Sequence, residues 1–317
     1  MAVSSTRDWT QLDCRAEEQW QGGFFRMPMW VEGPGGKPFR PWVLAWTSLR
    51  TGLVTISEPM SRQDLRPEMA VESLRAFASS GGTAGYLPGT LLVNGASLTG
   101  LFAEVLESTP VRVLEAEGEI PEPIAGWLSK HAAEDPLPGV LEGEDVTVEN
   151  LRSFASCARE FFEAQPWRVL TDMDLFEIVE PVSTIEPAFV LVMGAAGIDH
   201  GLFFFSSRES LDLLRQGGLP ALLAGGENHW LLSFSAPHEL PLSDADLFED
   251  LQLPVAAEGA HPVLLAFDDG HQIRRPTARE LRRAGAVMDA FAHASDDQLA
   301  AGEISCHVGG ARYVMVR

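Results

Sequence analysis

Apolar positions along this chain follow two rhythms, and the switches between them divide it into elements. Alternation, or a short unbroken apolar run bounded by turn residues, marks a strand; apolar residues at i, i+3, i+4 and i+7 mark a helix. The densest signal lies in residues 159–214. A helix ends near Gln165, Pro166 and Trp167 turn the chain, and an extended segment follows with Asp172 and Asp174. Phe189–Met193 and Leu202–Phe205 are strongly apolar and joined by GAAGIDHG, which predicts a β-hairpin with Asp199 and His200 at its tip and a helix from about Arg208. Phe203, Phe204 and Phe205 are consecutive, so both faces of that strand are covered or one is a binding patch. The runs are too long for a half-exposed pair, which places Phe189, Leu191, Phe203 and Phe205 in a core.

Other elements follow from the same rules. Residues 1–40 read as an arm, with Trp9, Trp20 and Trp30 to pin it and GPGGKP as punctuation. A hairpin is predicted at 41–57, helices at 69–80 and 97–108 with Ser97 as a cap, and strands at 90–94 and 111–117. This order predicts one sheet with helices on it, loosely similar to part of a ribonuclease H-like sheet. Such a sheet would carry metal-binding carboxylates at its strand ends, where this chain has Trp46, Ser48 and Asn94. Between residues 115 and 147 acidic residues face a single base, Lys130, and Pro121, Pro123, Pro136 and Pro138 interrupt the chain, so an acidic linker is expected with one short helix near Ile124–His131. A helix capped by Thr147 opens the second half, with Leu151, Phe154, Ala155, Ala158, Phe161 and Phe162 on one stripe. Strands at 229–236 and 261–270, helices at 242–252 and 276–294, and a terminal hairpin at 304–316 complete it.

The expected fold class is therefore α+β in two domains, each a mainly antiparallel or mixed sheet with packed helices. The expected plan is an arm (1–40), a first domain (41–117), a linker (118–147) and a second domain (148–317). A length of 317 residues and 45% apolar content suit two such cores.

Charge narrows the partners. The formal net charge is −22, divided as −9 over residues 1–145 and −13 over residues 146–317. Surfaces of that sign disfavour nucleic acid and anionic membranes. Lys37 and Lys130 are the only lysines, so nothing beyond residue 130 can form a Schiff base or supply a phosphate-binding lysine. Cys14, Cys157 and Cys306 are far apart and make neither a disulfide framework nor a zinc knuckle, which fits reduced thiols in a cytoplasmic protein. The polar N-terminus lacks the apolar core of a secretory signal, and no apolar run reaches the ~20 residues that span a bilayer.

Chemistry-bearing residues are few. VLTDMDLF resembles the nucleophile loop of haloacid dehalogenase-like phosphatases. In that family one aspartate attacks phosphorus, the second is acid and base, and magnesium screens the charge. The resemblance gives Asp172 and Asp174 those roles; Phe176 stands where threonine or valine is expected, and no lysine follows. The alternative is that both aspartates solvate a turn. Asp199 and His200 could supply a general base, but neighbours on an extended chain point to opposite sides. Asp268, Asp269 and His271 lie at the end of a predicted strand and are the best local metal candidates.

The second half, through PWRVLTDMDLFEI, FVLVMGAAGIDHGLFFF and VLLAFDDGHQIRRPTARELRRAGAVMDAFA, resembles an uncharacterised family of bacterial proteins. Relatives share a V-M-G…G-L run but carry an aromatic- and proline-rich stretch where this chain has HQIRRP. The first half is similar to a companion domain of unknown function with the pattern RP…LLV…L…L. The resemblance implies a fold arrangement and no established activity. The leading expectation is thus a non-enzymatic interaction or regulatory module with a protein partner, no cofactor and an open oligomeric state. The alternative is a magnesium-dependent phosphohydrolase, which requires Asp172, Asp174 and Asp268 or Asp269 to converge on one cleft.

Overall fold

The structure, a computed structural model, describes residues 9–116, 120–132, 137–180, 186–197, 199–224, 228–268, 272–308 and 311–317. The chain divides into two compact units, Met1–Glu134 and Asp135–Arg317. Among the described residues there are eight α-helices and fifteen strands, and the fold is α+β.

The first unit runs β1 (Asp13–Arg26), the two-residue pair β2 (Val31–Glu32) and β3 (Pro38–Phe39), β4 (Trp42–Ser48), β5 (Val54–Ile56), α1 (Pro67–Phe77), β6 (Tyr86–Val93), α2 (Ala96–Val105), β7 (Arg112–Glu115) and α3 (Glu122–Ser129). Its main sheet is ordered β5-β4-β1-β6-β7, antiparallel from β5 to β1 and parallel from β1 to β7. The expected arm therefore supplies the central strand. Two features hide β1 from a period-two reading. Its register slips between Arg15 and Gln19, where the bulged backbone lies against Gly89; a Cβ there would sit 2.4 Å from the Ala16 carbonyl oxygen. Gly22 is required in the strand because a Cβ would meet Ala45 O at 2.2 Å and the Trp46 ring at 2.3 Å. Trp20 and Trp46 pack edge-on against Phe77 and Phe102 of α1 and α2, while Ile124 and Leu128 of α3 join Phe25, Val43 and Ala45 in a separate cluster. Part of the expected linker is thus a packed helix. The cap of α2 is Gly95 at φ 92°, not Ser97, because the chain enters through a left-handed residue.

The second unit runs α4 (Val148–Ala164), β8 (Leu175–Glu180), β9 (Phe189–Met193), β10 (Gly201–Phe205), α5 (Arg208–Ala224), β11 (His229–Ser235), α6 (Leu242–Asp250), β12 (His261–Phe267), β13 (Ile273–Arg274), α7 (Ala278–His293), α8 (Asp296–Ala301), β14 (Glu303–Val308) and β15 (Ala311–Val316). The sheet is ordered β13-β12-β11-β10-β9-β8-β15-β14 and every neighbouring pair is antiparallel. Cross-strand partners share a face. Leu175, Leu191 and Phe203 form one row and cluster with Leu211 and Leu222 of α5. Phe176, Val190, Phe204 and Trp230 form the next row, on the opposite face; there Phe176 meets Phe291 of α7 and Phe234 stacks on Phe161 of α4. Leu191, Phe203 and Phe205 are buried as expected, and Phe189 is half-buried.

The helix starts follow local chemistry. Thr147 caps α4 by accepting from the Asn150 N–H while Asn150 Oδ1 accepts from the Thr147 N–H. Thr277 and Glu280 make the same reciprocal pair on α7, so Pro276 precedes the cap and does not start the helix.

Candidate functional site

The aspartates at 171–174 form a turn that is complete in itself. Asp174 Oδ2 accepts from the Thr171 N–H at 2.8 Å and from its hydroxyl at 2.9 Å, and Oδ1 pairs with Arg317 Nη1 at 2.8 Å. Burial raises the pKa of this carboxyl, but the Thr171 hydrogen bonds and the Arg317 charge outweigh it and the net shift is downward. Asp172 is exposed beside Met173. The turn follows the short helical turn Pro166–Arg168 and leads into β8.

The other carboxylates lie elsewhere. Asp268 follows β12, its Oδ1 accepting from the Gln272 N–H at 3.0 Å; Asp269 and His271 lie outside the described residues. Three strands separate β8 from β12, and the register row from Glu177 to Phe267 places Asp174 and Asp268 toward opposite ends. At strand spacings of ~4.8 Å and a rise of ~3.4 Å per residue they are about 19 Å apart across the sheet and about 13 Å along it. They share no cleft.

At the hairpin tip Asp199 is exposed at φ 52°, and His200 packs its ring against Trp167 and Phe162, with centroids 4.5 and 5.9 Å away. Gly194 is glycine for this reason: at φ 120°, a Cβ would lie 2.6 Å from His200 Cδ2. The histidine fills an aromatic cluster. In the first unit the strand-end position after β6 holds Asn94, whose N–H donates to Gly22 O at 3.0 Å, with Gly23 beside it. A carboxylate is buried instead within the central strand: Glu18 accepts from Ser48 Oγ and from Arg50 Nε, the latter at 2.6 Å. Burial raises its pKa, yet those bonds and the Arg50 charge bring it below the ordinary value. Both oxygens are occupied, a structural use.

One group of ligand-type side chains does converge. Glu160 of α4 and Asp289 and His293 of α7 place a donor atom each within 4.8 Å of one another. The helices run side by side, with Cys157 Sγ 3.7 Å from where a Cβ on Gly285 would lie. The i, i+4 spacing of Asp289 and His293 puts both on one face. His293 Nδ1 lies 3.0 Å from the Asp289 carbonyl oxygen and 3.2 Å from its Oδ1. That backbone contact, then the charges of Asp289 and Glu160, raise the histidine's pKa. Burial, helped by the same two carboxylates, pushes the Cys157 thiol to about 11, so it is a poor nucleophile near neutrality. Glu160 and Asp289 are half-buried and His293 is exposed. The sequence signal for this group was Asp289-x-x-x-His293 on a helix; Glu160 is joined to it only by the packing of α4 on α7.

Among the described residues no helix is long and apolar enough to cross a membrane. No curated protein and no solved structure matches the chain. Residues 152–299, from α4 through most of α8 and including Glu160, Asp289 and His293, match a family model described as a domain of unknown function (DUF7309), and this part of the chain is similar to that family.

Proposed function

We propose that the protein is a non-enzymatic interaction module of the cytoplasm whose second unit binds an extended segment of a partner protein along β14. The observation that carries this reading is the open edge of the eight-stranded sheet. β14 pairs with β15 on one side, and no described strand lies on the other. It is six residues long, against two for β13 at the opposite edge and three and four for β5 and β7 in the first unit. Half the backbone groups of an edge strand point outward, and a partner strand can take them up. Glu303, Ser305 and His307 are exposed and Ile304 is buried, so the strand is held by its core face while its other face is accessible. The charge of −13 over residues 146–317 favours a basic segment. Asp174 and Asp268 lie far apart on the sheet, which gives the phosphohydrolase reading less support.

The test places a photo-crosslinker at His307 and, for comparison, at exposed Glu149 in the native host. A discrete adduct at His307, absent at Glu149 and lost on adding the edge-blocking change Ser305→Lys, supports the proposal. Equal adducts at both positions, or magnesium-dependent phosphatase activity abolished by Asp172→Asn, would overturn it.

A further inference from the structure

The packing of α4 on α7 brings together two half-buried carboxylates for which no arginine or lysine partner is found among the described residues. Asp174, Asp244, Glu186 and Glu280 are all matched by arginine. Glu160 and Asp289 pair with no arginine or lysine among the described residues, although their donor atoms lie within 4.8 Å of each other; the basic group that joins them is His293. Like charges at this separation repel, and a bound cation removes the repulsion.

We infer that Glu160, Asp289 and His293 form a binding site for a divalent transition-metal ion of the zinc class, shared between α4 and α7. The donor set is one imidazole nitrogen and two carboxylate oxygens, which suits such an ion; magnesium and calcium are served by shells of oxygen. The histidine is prepared for it. Nδ1 lies at hydrogen-bond distance from the Asp289 carbonyl oxygen; protonated there, it would leave the lone pair on Nε2, the way a second contact fixes the tautomer of a ligating imidazole. Two of the ligands belong to one helical turn, and the third comes from a helix held close by the Cys157–Gly285 contact. Three protein ligands leave at least one position for water or for a group from a partner. The bound ion clips together the two helices that cover one face of the sheet. Its ligands belong to α4 and α7 and none to β14, so its occupancy does not depend on the edge-binding proposal.

Isothermal titration of the metal-free full-length protein with zinc chloride tests this, with magnesium chloride as the comparison. The expected result is one zinc ion per chain, affinity at least tenfold weaker in Glu160→Gln and in His293→Asn, and no change in His238→Asn, which alters an exposed histidine elsewhere. Zinc should also raise the thermal midpoint of the wild type and not that of the two site variants. Absence of stoichiometric uptake, equal binding of magnesium, or uptake unchanged in both site variants would each overturn the inference. Circular dichroism of the variants separates loss of the site from loss of the fold.

Discussion

Two places in the second unit set acidic side chains where elements meet, and they treat the charge in opposite ways. At the junction before α7, Asp244 of α6 is almost wholly buried. Its Oδ1 accepts from the Val140 N–H at 2.7 Å, and its Oδ2 meets Arg275 Nη2 at 2.5 Å. Arg275 Nε in turn donates to Pro138 O. On α4 and α7, Glu160 and Asp289 are half-buried, with an exposed histidine for company. A fully buried carboxylate must be satisfied within the protein, because leaving it unpaired costs several kcal/mol. A half-buried one can rely on water. Unspent binding capacity therefore survives at the helix pair and not at the junction.

The sharpest test of this contrast is Asp244→Ala. It leaves Arg275 charged and buried, and should cost about 3–5 kcal/mol in urea denaturation; a loss under 1 kcal/mol would mean that the junction is wet. A deletion probes the same place from the other side. We propose that the second unit begins before Leu137, and not at residue 148. Residues 137–317 expressed alone should unfold cooperatively, and residues 148–317, which lack the Val140 and Pro138 partners, should be less stable by roughly 1–3 kcal/mol. Equal midpoints would restore the boundary to residue 148.

Between the extremes lies the 171–174 turn. Asp174→Asn should cost about 1 kcal/mol at pH 7. The folded-state pKa of Asp174 is depressed, so its contribution is complete above the unfolded carboxyl value and fades as pH falls below ~4. Wild type and variant should then converge in acid, and a gap that persists there would assign the effect to something other than charge. The smallest effect belongs to the helix pair. Without metal, Glu160→Gln should change stability by less than about 0.5 kcal/mol, in the stabilising direction, because it relieves repulsion and orphans nothing. A large loss would show that Glu160 is structural after all.

Some of this could be read from residues alone because it depends on neighbours within one or two turns. The alternation and apolar runs of β9, β10, β11 and β12, the stripe of α4 and the Thr147 cap are local, and each lies where periodicity puts it. A bulge and a required glycine concealed β1, since both are answers to atoms on other strands: Ala16 presses on Gly89, and Ala45 and Trp46 press on Gly22.

The chain by itself determined the α+β class, the covered hairpin and the acidity. Apolar periodicity and charge count are properties of composition and order, and they hold whichever strands become neighbours. Only the tertiary structure decided which carboxylates meet. Strand order holds Asp174 and Asp268 apart, and helix packing brings Glu160 to Asp289 and His293. Both follow from burying apolar faces, an interaction proportional to area and blind to where the polar residues at the rim will lie.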